Sequence, residues 1–170
     1  YRRPERSLAV VTASPKHAQR VAGAVRNALN KYPQLAPFFA AGEESFRVVD
    51  LTRAESLERD TVIFSLGVGR ARLGQASYDL GQLSAEHGRQ GFVVALTRAR
   101  RALRIVSCID PSELDPQKLH HGAVDFYHLL REHAERQARE EVEAKAQRVP
   151  ETLPRNAFLA ADDADTPDLG

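Results

Sequence analysis

The sequence predicts an α/β fold with a mainly parallel sheet flanked by helices. Three observations carry this. Leu8-Ala9-Val10-Val11-Thr12-Ala13 is a short unbroken apolar run, the mark of a strand covered on both faces. A helix start and an apolar stripe at helical spacing follow it at once. Similar short runs then recur with helical or loop segments between them, the alternation that builds parallel sheets. At 170 residues the chain is long enough for one such domain with a short appendage.

The elements follow in order. Ser14-Pro15 stops the first strand and starts a helix, with Ser as N-cap and Pro at the first helical position. Ala18, Val21, Ala22, Val25 and Leu29 form the stripe that packs this helix on the sheet. Tyr32 to Glu44, with two prolines and a glycine, reads as the crossover loop, and Phe46 to Asp50 as the second strand. Thr61 to Leu66 is the third strand and Arg104 to Ile109 the fourth. The glycine-rich excursion from Gly67 to Gly91 is long for a compact domain, and loops of that length usually carry function. A helix over about residues 90–103 follows it, with Phe92, Leu96, Ala99 and Leu103 facing the sheet and Val94, Arg98 and Arg101 roughly opposite. That second face is partly apolar, so we expect another domain to cover it. Composition alone also admits Phe92 to Thr97 as a strand.

After a turn at Asp110-Pro111, Gly122 to Arg148 reads as a long helix. Ala123, Phe126, Tyr127, Leu130 and Ala134 pack it at first, and the stripe then thins to Ala138, Val142 and Ala146. Glu132/Arg136, Glu135/Arg139 and Glu141/Lys145 are acid-before-base pairs four residues apart, which support a solvated helix. The expected organisation is therefore a domain over 1–149 and an acidic tail or linker over 150–170.

Net charge is +1, which by itself points to no partner. Its distribution is more informative. Arg47 to Arg104 holds ten Arg against six acids, whereas Pro150 to Gly170 holds one Arg against five acids. A basic middle and an acidic tail favour a local anionic ligand over a general cationic coat for nucleic acid. Cys108, the one cysteine, falls at the predicted fourth strand, so we expect a buried, inert thiol and a reducing, cytoplasmic setting. No apolar run approaches the roughly 20 residues that span a bilayer, so no membrane is expected. The chain opens without Met and enters its first strand within a few residues, which suggests a piece of something longer.

Several chemistries are absent from the sequence. There is no G-x-x-x-x-G-K-[ST] phosphate cradle, so this chain alone should not hydrolyse nucleotide. No Ser or Cys sits in a nucleophile motif. The histidines lack metal-ligand spacing, so no metal site is expected, and His17, His87, His120 and His121 read as solvated loop or helix-end residues. Asp50, Glu55, Glu58 and Asp60 flank strand ends where a metal-dependent nuclease would hold its acids, a remote alternative without the Glu-x-Lys such a site needs.

The order of two segments is more specific. Glu55-Ser56-Leu57-Glu58-Arg59-Asp60-Thr61-Val62-Ile63-Phe64-Ser65 precedes the glycine-rich excursion, and Val94-Ala95-Leu96-Thr97-Arg98-Ala99-Arg100 follows it. They resemble motifs V and VI of superfamily one helicases, in the branch that includes the nonsense-mediated-decay helicase and many large bacterial ATPases. Family members typically read Gln-Gly-x-Glu-x-Asp-x-Val-Ile-x-Ser and Asn-Val-Ala-Leu-Thr-Arg-Ala-Arg. Leu8 to Leu29 is similar to the segment that opens the second RecA-like domain, near motif IV. The resemblance spans about Ser7 to Leu130.

It implies a RecA-like second helicase domain of the P-loop NTPase type. ATP with Mg²⁺ would be held mainly by an N-terminal RecA-like domain outside this chain. Arg98 matches the arginine finger, worth about 10³ to 10⁵ in rate where it acts. Glu58 resembles a residue that approaches the nucleotide sugar or the finger, Arg100 would also face the cofactor, and Asp60 would order the loop before the strand. Ser56, Ser65, Arg70, Arg72 and Arg89 are the candidates for single-stranded DNA or RNA, through phosphate contacts that carry no sequence specificity. The finger is expected beside a groove along the carboxyl ends of the strands. By analogy with the branch, the whole protein would move 5′ to 3′. The sequence departs from the pattern at Glu55-Ser56, where the family has Gln-Gly, and at Val93, where it has Asn. A non-catalytic nucleic-acid- or protein-binding module that kept the fold is the alternative.

Overall fold

The structure is a computed structural model that describes residues 6–40, 42, 44–68 and 77–147. Its centre is a four-stranded, all-parallel sheet with strand order β2-β1-β3-β4, where β1 is Leu8–Thr12, β2 Arg47–Asp50, β3 Arg59–Ser65 and β4 Ala99–Val106. Helix α1 is Pro15–Lys31, α2 Ala36–Ala40, α3 Gly88–Leu96 and α4 Gly122–Gln147. The fold is thus α/β with helices flanking a parallel sheet.

The chain divides into two compact units, Tyr1–His133 and Ala134–Gly170. In the first, Ala9, Val11, Val62 and Phe64 line one face of the sheet and are fully buried. Phe64 meets Phe92 of α3 at 5.3 Å and Phe126 of α4 at 5.7 Å between ring centroids, and Phe92 and Phe126 are 5.8 Å apart. This aromatic triad ties a strand to two helices at spacings that favour edge-on contact. In the second unit the described residues are helical, and Ala134 to Lys145 are exposed, as a thinning stripe predicts. The expected boundary after residue 149 lies outside the described residues. Among those residues no helix is long and apolar enough to cross a membrane.

Local chemistry explains the first crossover. Ser14 is extended (φ −154°) and its hydroxyl accepts from the His17 amide, while Pro15 fills the first turn. Ala18, Val21, Ala22, Val25 and Leu29 do face inward, but α1 has no fully buried residue. The predicted loop from Tyr32 to Glu44 contains a 3-10 turn, Pro33–Leu35, and the short helix α2.

The largest correction concerns the segment after the glycines. The helix expected over about 90–103 ends at Leu96, and the chain becomes strand from Ala99. Phe92 is buried from the helix, whereas Ala99 and Leu103 pack against the core from β4. Thr97 closes α3, its hydroxyl donating to the Val94 carbonyl at 2.8 Å. The strand expected at Arg104 to Ile109 is thereby shifted toward the amino end, and Cys108 falls beyond it, exposed rather than buried.

Candidate functional site

In a parallel sheet all amino ends lie along one edge, and Glu58, Asp60, Arg98 and Arg100, from the segments that resemble motifs V and VI, fall there. Arg59 pairs with Ala99, but Thr61 pairs with Ala102, so β4 carries one extra residue in this step, a bulge. Side chains of a regular strand alternate between faces, yet here consecutive Arg100 and Arg101 both reach Asp60, through Nε to Oδ1 at 3.3 and 3.4 Å. Before the bulge, the Arg59 amide donates to the Arg98 carbonyl at 3.1 Å, which sets the Arg98 backbone beside the entry to β3.

Arg100 is the most heavily engaged side chain of this edge. Its Nη1 and Nη2 donate to Glu44 Oε1 and Oε2, both at 2.6 Å, in a two-pronged pair. Nη2 also donates to Ser7 Oγ at 3.1 Å, and Glu58 Oε1 lies 3.9 Å from Nη1. The Arg100 fork holds the Glu44 carboxyl down at about 2, and Glu44 in turn raises the pKa of Arg100. Asp60 is lowered too, first by the Ser7 amide at 3.1 Å and then by Arg100. Arg59 is 7% exposed and spends its guanidinium on the carbonyls of Ser45 and Glu58.

Arg98 is different. It is partly buried, at the amino edge of β4. Nη2 donates to Thr97 Oγ1 at 3.2 Å and Nη1 to the Glu55 carbonyl at the long distance of 3.5 Å. Its Nε is buried with no partner, and among the described residues no carboxylate pairs with it. A buried N–H left unsatisfied costs about 1–3 kcal/mol. The expectation that this guanidinium lies along the carboxyl ends is corrected: it sits at the opposite edge, because α3 runs antiparallel to the strands. The backbone N–H of Gln82, in the preceding 3-10 turn, donates to the Ala13 carbonyl at the carboxyl end of β1, and α3 delivers the chain back to the amino edge.

Glu58, Arg98 and Arg100 are therefore brought together, and Ser56 is near them, exposed at the end of the 3-10 turn Leu51–Ser56 with its hydroxyl on the Arg53 carbonyl. Ser65 is not. It ends β3 at the carboxyl edge, where its Oγ lies 2.8 Å from His17 Nε2. Burial, then the charge of Arg20, lowers the His17 pKa. Gly67 (φ +66°) makes this possible, since a Cβ there would stand 2.1 Å from the imidazole carbons. Arg89, in the first turn of α3, pairs with Asp125 at 2.9 Å and is largely exposed. Arg70 and Arg72 lie outside the described residues.

Sequence reasoning missed Ser7, Glu44 and His17, each engaged with a residue far along the chain. It also grouped Asp50 with Glu58 and Asp60, but these fall at opposite ends of the sheet. Asp50 is 2% exposed at the carboxyl end of β2 and is held by Thr52, Arg53 and Gln82. Among the described residues no group of three His, Cys, Asp or Glu is placed to hold a metal ion. A surface groove of about 490 Å³ runs between Leu51–Ser56 and α3, lined by Leu51, Gly91 and Val94 with Glu55, Glu86 and His87 among its polar groups. No protein-family profile and no curated protein matches this chain.

Proposed function

We propose that this chain is the second RecA-like domain of an ATP-dependent superfamily one helicase or translocase, facing nucleotide at the amino edge of its sheet and single-stranded DNA or RNA at the carboxyl edge. The observation that carries the reading is Arg98, in the string Val94-Ala95-Leu96-Thr97-Arg98-Ala99-Arg100, whose half-buried guanidinium has an orphaned Nε and, among the described residues, no acid partner. The residues at this edge suit a triphosphate. Arg98 offers unsatisfied donors to phosphate oxygens, and Glu58, exposed beside it in the chain path, offers a carboxylate to a sugar hydroxyl.

Bound ATP with Mg²⁺ supplies the scissile phosphoanhydride and would be held mainly by a Walker-type domain outside this chain. Arg98 stabilises charge that develops on the transferring phosphoryl group from a position fixed by the β3–β4 pairing. Ser65, with the loop that follows it, contributes backbone-directed contacts to the strand, which give salt-dependent affinity without sequence preference.

The test is nucleic-acid-stimulated ATP hydrolysis by the full-length gene product. Arg98→Ala is expected to lower kcat about 10³-fold or more while nucleotide binding stays nearly intact. Unchanged turnover would refute the assignment. Glu55-Ser56 in place of Gln-Gly favours a second reading, a non-catalytic binding module. Nucleic-acid binding without ATP hydrolysis in the wild-type protein would establish that reading instead.

A further inference from the structure

We infer that Arg100 is a positioning residue rather than a nucleotide ligand: it sequesters Glu44, Glu58 and Asp60 at the strand edge that also carries Arg98, so that the Arg98 guanidinium stays free of acid partners and available to a polyphosphate. This rests on the reading of Arg98 given above.

Three observations support the assignment. Every donor nitrogen of Arg100 already has an acceptor within the protein: both prongs on Glu44, Nε on Asp60, and Nη2 also on Ser7. A guanidinium so engaged has little left for an incoming phosphate, whereas Arg98 has an unsatisfied Nε. The bulge between Arg59 and Thr61 turns Arg100 and Arg101 onto the same acid instead of letting them alternate, and it leaves Arg98 on the far side of the irregularity. Charge placement then follows. Glu44, Glu58 and Asp60 are all within 4 Å of Arg100, at 2.6, 3.9 and 3.3 Å, while Arg98 is in no ion pair among the described residues. Paired carboxylates leave less negative potential for a neighbouring arginine to satisfy. Removing Arg100 releases these carboxylates at the edge where the Arg59 amide meets the Arg98 carbonyl, and an Arg98 captured by acid is lost to phosphate.

The experiment uses the 170-residue chain with ¹⁵N-labelled arginine and inorganic tripolyphosphate as the probe, together with steady-state ATPase of the full-length gene product. In the wild type, addition of tripolyphosphate is expected to shift the Arg98 Nε–H resonance, identified by its loss in Arg98→Lys. In Arg100→Gln that resonance is expected to move before any anion is added, and the apparent tripolyphosphate affinity to fall about fivefold or more, with kcat falling about tenfold at nearly constant KM. The triple variant Arg100→Gln/Glu44→Gln/Asp60→Asn removes the two released charges that Arg100 holds most closely and is expected to recover affinity and kcat to within about threefold of wild type. A clamp that merely stabilised the fold would lose further ground in the triple variant, because all its ion pairs are gone. An unchanged Arg98 response in Arg100→Gln, or no recovery in the triple variant, overturns the inference. If Arg100→Gln does not fold, Arg100→Lys is measured instead: a partial loss of Arg98 affinity supports the inference, and wild-type affinity overturns it. Failure of the underlying reading looks different, with no Arg98 shift in the wild type and no loss of turnover in Arg98→Ala.

Discussion

His17 bonds the start of α1 to the end of β3 through Ser65 Oγ, so its protonation is coupled to folding. Burial and Arg20 hold its pKa below the usual 6.5, so the folded chain resists the proton that the unfolded chain accepts. Stability from this group is therefore fully present above about pH 6.5 and is lost as pH falls through the lower, folded value. The urea midpoint should drop as the pH is lowered from about 7.5 into that window, and His17→Gln should flatten this part of the profile. A profile identical in the two proteins would show that His17 does not contribute. None of this was legible in the sequence, where His17 reads as a solvated helix-end residue. Its partner is 48 positions away, and the glycine that makes room for the ring is further still. Ser14 was legible, because an N-cap is a local device whose acceptor and donor lie within one turn.

At the scale of elements, the sheet strands and α4 were legible because apolar runs and helical stripes are long enough to show their period. The segment from Ala99 to Leu103 was not. Ala, Arg, Arg, Ala and Leu all favour helix, and Ala99 and Leu103 continue the spacing set by Phe92 and Leu96. What makes them a strand is pairing with β3, in which Val62 aligns with Leu103 and Phe64 with Ile105, so tertiary context overrides local preference. A peptide of residues 88–106 lacks that partner. In trifluoroethanol its ¹³Cα shifts are expected to be helical past Leu96 and through Ala102, unlike the folded chain. Extended shifts from Ala99 onward in the peptide would place the strand preference in the local sequence instead. The same junction explains why Arg98 was assigned to the wrong end of the sheet: a helix through Leu103 carries it elsewhere, while a helix ending at Leu96 returns it to the amino edge.

At the scale of the whole molecule, two edges of one sheet carry the candidate chemistry. β3 spans them, with Glu58 and Asp60 at its entry and Ser65 at its exit. Seven residues at about 3.3 Å each separate the edges by roughly 20 Å, more than the Debye length of about 8 Å at physiological salt. A charge change at one edge is therefore weakly felt at the other through solvent, and any coupling must travel through β3, α3 and the Phe64, Phe92 and Phe126 cluster between them. This separation makes a paired prediction for the full-length gene product. Ser65→Ala removes a hydroxyl at the carboxyl edge and should weaken single-strand affinity by about threefold to tenfold, the worth of one hydrogen bond, with KM for ATP unchanged. Arg98→Ala should do the reverse, cutting turnover while leaving single-strand affinity, measured without nucleotide, within about twofold of wild type. Fluorescence anisotropy with a labelled oligonucleotide at fixed ionic strength, beside ATPase measurements, reads both quantities. If Arg98→Ala weakens strand binding as much as Ser65→Ala does, the two edges are not separate sites, and nucleic acid lies across the amino edge as well.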